Sequence, residues 1–321
     1  MGLEEFIAEW RSDSPTVLVH TSGSTGQPKP MLVEKRRMEA SARITCGFLG
    51  LKEGDSALLC MPLDYIAGKM MVVRALTCGL RLVSVKPCGL PAWEGDVDFA
   101  AMVPLQVWNL LHDAAGRERL MHIRHLIIGG GAIDDRLART LKTFPHAVWS
   151  TYGMTETLSH IALRRLSGPE ATDWYTPFEG VALSQNADGC LVIDAPAVHD
   201  GLLVTNDMVE MQGQRFRIIG RKDNVICSGG LKIQIEEVER LLKPHIDVPF
   251  CITKRKDERF GEAVILLTVG DPAVAQEVCR QVLPKHWVPR QSLAVEQIPL
   301  TETGKVARKQ AERLAALAVE I

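Results

Sequence analysis

The sequence predicts an α/β protein: a layered α/β N-terminal domain containing a small β-rich subdomain, followed by an α+β C-terminal domain. Three changes of texture carry that prediction. Short apolar runs alternate with helical stretches through residue 165, short strands and turns fill 180 to 220, and helix and strand mix again after Gly220-Arg221-Lys222-Asp223. Alternation of the first kind favours a largely parallel sheet covered by helices. With 321 residues, 46% of them hydrophobic, the chain can bury a large core and suits two domains, 1–220 and 221–321.

Taken in order, the apolar runs at 17–20, 57–61, 81–85, 125–128 and 147–151 read as strands. Between them 34–49, 66–78, 104–114 and 134–144 carry the longer, mixed patterns of helices. In the β-rich part the short runs at 191–194, 202–205, 208–212 and 215–219 are separated by turn residues. The last part predicts a helix at 236–242, a strand at 264–269 and a helix at 306–318.

Composition bounds the class without naming an activity. A formal net charge of -2 gives no reason to expect nucleic acid or an anionic membrane as a main partner. The first ten residues, MGLEEFIAEW, are acidic and lack the basic and apolar regions of a signal peptide. No apolar run approaches the ~20 residues that span a bilayer. The eight cysteines (46, 60, 78, 88, 190, 227, 251 and 279) contain no CxxC pair, so neither a zinc site nor a disulfide framework is expected. The expectation is a cytoplasmic protein with buried thiols.

The stretch VLVHTSGSTGQPKPMLVEKR at 17–36 asks for an explanation. Glycines bring backbone N–H groups close to a ligand, hydroxyls add donors, and a lysine adds a mobile positive charge. Thr21, Ser22, Gly23, Ser24, Thr25, Gly26 and Lys29 therefore suit a polyphosphate, although GxxxxGK[ST] is not matched. On this segment alone a phosphate cradle and a polar surface turn are evenly matched.

That segment resembles the phosphate loop of the adenylate-forming enzymes, the family of acyl-CoA synthetases, peptide-synthetase adenylation domains and luciferases. Four further blocks follow in the family's order. Tyr152-Gly153-Met154-Thr155-Glu156-Thr157 resembles its adenine-and-magnesium motif, and Thr205-Asn206-Asp207 its ribose-binding TGD with Asn for Gly. Gly220 through Glu239 resembles its hinge region, and Pro299-Leu300-Thr301-Glu302-Thr303-Gly304-Lys305 its catalytic-lysine motif.

The resemblance implies a fold, the adenylate-forming fold in a short N-terminal form with a mobile C-terminal domain. It also implies a chemistry. A carboxylate is activated by ATP with release of pyrophosphate, and coenzyme A then displaces AMP from the acyl-adenylate. By this likeness Thr21–Lys29 would hold the β- and γ-phosphates, Thr155 would reach the α-phosphate, and Glu156 would hold Mg²⁺. Tyr152 would stack on adenine between Thr151 and Gly153, with Gly130, Gly131 and Ala132 as a glycine-rich wall of the adenine and acyl sites. Asp207 and Arg221 would take the ribose. Lys305 would bridge the substrate carboxylate and the α-phosphate, and Asp223 would be the hinge. Gly230 and Lys232 would belong to the face presented for the coenzyme A step.

Three departures accompany the likeness: about 20 residues precede the phosphate loop, Pro30 stands where Gly is usual, and Tyr65 stands where an aromatic or His gates the acyl pocket. A short amino end leaves the pocket either more open or completed by a second copy, so a homodimer is among the expectations. The segment from Met61 to Gly68 and TYGMTETLSHIAL look most like the o-succinylbenzoate–CoA ligases of menaquinone biosynthesis. Arg74, nine residues after Tyr65, would pair with the second carboxylate of such an acid, with a structural ion pair as the equal alternative. Ser159 would face the acyl pocket, whereas His160 reads as a packed strand residue. Other readings stay open: a ligase for another aryl or medium-chain acid, an adenylation domain serving an external carrier, and a non-catalytic AMP-binding remnant.

Overall fold

The computed structural model describes residues 1–20, 30–133, 135–301 and 305–317. The chain opens with α1 (Leu3–Arg11), whose Phe6 is fully buried, and a hairpin of β1 (Thr16–His20) and β2 (Pro30–Glu34). Pro30 has no N–H to donate, and it sits at the first position of a strand in a two-stranded sheet, where that loss costs least. The residues expected to form a phosphate loop, Thr21 to Lys29, fall between these two strands and lie outside the described residues.

Next come α2 (Lys35–Leu49), β3 (Ser56–Leu59), α3 (Ile66–Cys78), β4 (Arg81–Ser84), β5 (Val97–Met102), α4 (Pro104–His112) and α5 (Ala114–Met121). After them lie β6 (Ile123–Ile128), α6 (Asp135–Leu141), β7 (Ala147–Gly153), β8 (His160–Arg165) and β9 (Thr176–Pro177). The order β4-β3-β5-β6-β7-β8-β9 builds a seven-stranded sheet, parallel from β4 to β7 and antiparallel beyond. This is the expected layered sheet, with α3 falling on 66–78 as predicted. The elements α1, β2, β5, α5, β8 and β9 are additions, and two of them show why. β5 was hidden by Asp98, whose carboxylate is held by the Ser56 amide at 2.8 Å and hydroxyl at 2.9 Å and so tolerates a strand in the middle of the sheet. The helix α1 carries a short amphipathic pattern that leaves only Phe6 fully covered.

The strands β10 (Ala182–Gln185), β11 (Cys190–Asp194), β12 (Leu202–Gln212) and β13 (Arg215–Arg221) form an antiparallel four-stranded sheet. The two runs predicted at 202–205 and 208–212 are one long strand with an irregularity at Met208/Val209. The last part contains β14 (Val225–Ser228), β15 (Leu231–Gln234), α7 (Ile235–Leu242), β16 (Phe250–Asp257), β17 (Gly261–Thr268), α8 (Pro272–Val282), β18 (Gln291–Ala294) and α9 (Arg308–Leu317).

The apolar core runs from Phe6 to Phe216 in one cluster, while residues beyond 225 gather into two others. Those two lie on opposite faces of β16 and β17. Ile252, Val264 and Leu266 pack with α7 and α8, and Cys251, Ile265 and Leu267 pack with α9. Period-two alternation of a strand buried on both sides explains why 264–269 reads as one continuous apolar run.

Candidate active site

The strand ends bring a first cluster together. Tyr152, at the end of β7, is buried and donates its hydroxyl to Asp207 Oδ2 at 2.7 Å. Arg221, at the end of β13, donates to Asp207 Oδ1 at 3.1 Å and to Asp223 Oδ2 at 3.2 Å. Asn206 donates to the same Asp223 oxygen at 3.1 Å, which gives a use to the residue that departs from the TGD pattern. Burial first, and the Asp207 carboxylate second, raise the Tyr152 phenol well above its ordinary range. It stays a donor at neutral pH, and Phe216 and Tyr175 pack edge-on against its ring.

Lys305 comes to this cluster from the far end of the chain. Its pKa is lowered, by desolvation first and by repulsion from Arg221 second, with Asp207 pulling the other way. Its residue surface is exposed even so. Thr301 braces the turn: its hydroxyl accepts from the Lys305 amide at 3.1 Å, and its own amide donates to the Lys305 carbonyl at 2.7 Å.

Between β7 and β8 a tight turn carries Thr155 and Glu156. Gly153 is required here, since a Cβ would stand 2.2 Å from the Ser159 carbonyl oxygen. The Thr157 hydroxyl accepts from the Met154 amide at 3.0 Å and donates to the Ser159 carbonyl at 2.8 Å. Leu158 closes the turn at φ 65°, the one non-glycine residue with positive φ among the described residues. Such a strained leucine persists only where its surroundings over-determine it. The result buries Thr155 and leaves the Glu156 carboxylate exposed. A single exposed carboxylate suits Mg²⁺, which takes one or two carboxylates and completes its shell with water and phosphate oxygens. The glycine run after β6 lies alongside: Gly129 packs on Thr151, Gly130 near Val103 and Gly131 near Pro104, with Ala132 following.

The same turn ends in a second cluster. Arg74, on α3, is 2% exposed, and its Nη2 donates to Ser159 Oγ at 2.6 Å. Ser159 Oγ lies 3.1 Å from His160 Nδ1, and His160 Nε2 lies 3.2 Å from Thr45 Oγ1 on α2. Arg74 Nη1 reaches only the Met71 sulfur, at 3.7 Å, and Nε has no partner. Burial pushes the guanidinium down to about 10, so it is still charged at neutral pH. No carboxylate among the described residues bonds to it. The structural ion pair weighed for Arg74 is therefore not formed there. Tyr65 lies at the N-cap of the same helix, half-buried.

Other predicted residues lie apart. Gly229 and Gly230 make the two-residue turn of the β14–β15 hairpin, both with positive φ, so Gly230 has a backbone reason to be glycine. Lys232 is exposed on that hairpin and acts on Asp188, which Lys222 holds at 2.7 Å. Sequence reasoning missed Gln234. Its buried side chain donates to the Arg221 carbonyl at 3.0 Å and to Glu236 at 2.5 Å, tying the end of β13 to α7. A lone Gln between apolar residues gives no signal for that role. Thr45 was missed for a related reason, as its partner is 115 residues away.

Comparison with known proteins gives this arrangement its family. The model of the AMP-binding enzymes matches residues 4–195. The chain belongs to the AMP-binding enzyme family. An AMP-forming acyl-CoA synthetase/AMP-acid ligase II-like protein of Dyadobacter fermentans is 31% identical, with a TM-score of 0.66 over 97% of this chain and 92% of its own. A 2-succinylbenzoate–CoA ligase of Bacillus mycoides is 25% identical over 97% of this chain and 73% of its own length. The o-succinylbenzoate coenzyme A synthetase of Bacillus subtilis, solved with ATP and magnesium ion, shares the fold at 21% identity, a TM-score of 0.75, and 91% and 69% coverage. As a member of the family, the chain is an adenylate-forming acid–thiol ligase with the adenylate-forming fold. Among its described residues no helix is long and apolar enough to cross a membrane.

Proposed function

We propose that this AMP-binding enzyme is a CoA ligase for an aromatic dicarboxylic acid, with o-succinylbenzoate as the favoured substrate. The observation that carries the proposal is Arg74, a buried guanidinium whose Nε is unpartnered and to which no carboxylate bonds among the described residues. Burying a lone charge costs several kcal/mol, and the cost is offset when a ligand supplies the opposite charge. An acid with a second, unreacting carboxylate does so in bidentate fashion. The relatives named 2-succinylbenzoate–CoA ligase support the same choice.

In this reading one carboxylate of the acid meets the α-phosphate of ATP near Thr155, and the other meets Arg74. The turn from Gly153 to Ser159 spans the two sites and sets their separation. Asp207 accepts from the ribose and stays oriented by Tyr152 and Arg221. The exposed Glu156 would hold Mg²⁺, which would neutralise phosphate charge when bound. Thr21, Ser22, Gly23, Ser24, Thr25, Gly26 and Lys29 hold the pyrophosphate end. Lys305 stabilises the charge that develops as the carboxylate attacks the α-phosphorus, a task of electrostatics and positioning. Residues 221–321 then turn about Asp223, withdrawing Lys305 and bringing Gly230 and Lys232 to the coenzyme A.

Mass spectrometry of the products tests this. The protein is incubated with MgATP and coenzyme A, beside o-succinylbenzoate, benzoate, a medium-chain fatty acid or no acid. AMP and thioester are expected chiefly with o-succinylbenzoate. Thioester from another acid alone discards the substrate, and no AMP from folded protein favours the remnant reading.

A further inference from the structure

Beside the binding groups stands a chain of buried hydrogen bonds that they do not need for contact with substrate. We propose that Ser159, His160 and Thr45 form a one-way relay that positions Arg74, with His160 locked as the neutral Nε2–H tautomer, so that the pocket offers donors alone and selects acids bearing a second anion. The proposal rests on the reading that Arg74 meets the spare carboxylate.

The direction of the relay follows from counting protons. A guanidinium only donates, so Ser159 Oγ accepts from Arg74 Nη2 at 2.6 Å. The hydroxyl has one proton left to give, and the acceptor in reach is His160 Nδ1 at 3.1 Å. An Nδ1 that accepts carries no proton, so a neutral ring holds its proton on Nε2, which donates to Thr45 Oγ1 at 3.2 Å. The Thr45 hydroxyl ends the chain on the Ser41 carbonyl at 3.0 Å. From Ser159 onward each hydroxyl and ring N–H is used once, and the last acceptor is a backbone group of α2 that cannot turn.

A doubly protonated His160 breaks this order. Both ring nitrogens would donate, and Ser159 would receive two donors while its own proton lost its acceptor. The surroundings oppose that state. The ring is 7% exposed and packs against Phe178 at 5.4 Å, and the charged group that acts on it is Arg74, from α3. Desolvation first and Arg74 second hold the imidazole well below its ordinary pKa. From the other side Ser41, Ile44, Phe178 and Glu179 line a small cleft against the ring, and Glu179 is the titratable group on that face.

Two consequences bear on selectivity. Ser159 has no proton to spare for a ligand, so Arg74 Nε and Nη1 are the groups left to receive one. A carboxylate satisfies them, whereas a carboxamide brings its own N–H groups and no charge. Arg74 is also braced from α2 through β8, so its plane is set before substrate arrives. Preorganised donors of this kind lower the cost of binding.

The test uses the full chain with MgATP and coenzyme A, comparing o-succinylbenzoate with benzoate in the wild type and in His160→Leu, His160→Asn and Arg74→Met, with ¹⁵N-histidine NMR beside the kinetics. Loss of one signal in His160→Leu identifies the ring among the nine histidines. The expected spectrum has a bare Nδ1 and a protonated Nε2, unchanged as the pH is lowered through the ordinary histidine range. His160→Leu is expected to raise KM for o-succinylbenzoate about tenfold while kcat holds, and His160→Asn, which keeps an acceptor for Ser159, to recover most of it. A protonated Nδ1 at neutral pH overturns the relay. So does a kinetically silent His160→Leu when Arg74→Met still raises KM for the dicarboxylate, and in that case the dicarboxylate reading survives. If Arg74→Met leaves the preference between the two acids unchanged, that reading falls and the relay loses its part in selectivity, whatever the spectrum shows.

Discussion

Two arginines on one turn's flanks are treated in opposite ways. Arg221 sits between Asp207 and Asp223, at 3.1 and 3.2 Å, and keeps 37% of its side chain in water. Arg74 is 2% exposed and has a hydroxyl, a thioether and the face of the Phe99 ring, 5.9 Å away, for company. The first is an internally balanced group whose work is to hold a carboxylate in place. The second is a buried cation left short of a counter-charge by the described residues, which is the condition of a site completed by its ligand. The lesson is that the partner list of a charged side chain says more about its role than its charge does.

The largest effect that separates the two ends concerns the nucleotide half. Lys305→Ala is expected to lower AMP formation by about 10²- to 10³-fold, the usual loss for one group that stabilises developing charge, with KM for the acid little changed. Rapid-quench measurement of acyl-adenylate checks it, and an equal loss confined to thioester formation would place Lys305 in the second half-reaction instead.

Asp207→Asn probes the balanced arginine. It removes one charge from a pair already satisfied and leaves Tyr152 a weaker acceptor, so KM for ATP should rise about tenfold while the preference among acids stays put. A change in acid preference would mean that the two clusters are not separable.

The turn between them can be strained directly. Gly153→Ala drives a Cβ into the Ser159 carbonyl at 2.2 Å and should cost about 1–3 kcal/mol, read as a fall in Tm together with a loss of acid preference. Gly230→Ala meets nothing within 4 Å and carries only the penalty of a left-handed alanine, about 1 kcal/mol, with no effect on adenylation.

The smallest effect is in the pH dependence. His160 and His125 are both held below their ordinary pKa, desolvation being the first cause in each. The unfolded chain then binds protons that the native state refuses, so this stability is complete above about pH 6.5 and is lost as the pH falls below it. Melting curves between pH 7 and 5 should show a falling Tm, with a shallower slope in His160→Asn. An unchanged slope would assign the effect to His125.

Much of this could be read in advance where a signal is local. The helix at 66–78 and a strand at 147–151 follow from short-range pattern, and Tyr152, Asp207 and Arg221 follow from motifs a few residues long. Strand β5 did not, since Asp98 breaks its apolar run and the compensating Ser56 lies 42 positions away. The relay through Thr45 and the Gln234 tie are likewise pairings between distant positions, made only when the chain folds. Arg74 is the instructive middle case. Its position suggested a carboxylate partner, but only the folded surroundings show that the described residues supply none.

The most direct test of the central claim is a competition between o-succinylbenzoate and benzoate in one tube, for wild-type protein and Arg74→Met, with both thioesters quantified from the same reaction. Strong preference for the dicarboxylate in the wild type, collapsing by about 10- to 100-fold in the variant, is the predicted result. A preference that is absent in the wild type, or that survives the loss of the guanidinium, would contradict the claim that Arg74 waits for the substrate's second carboxylate.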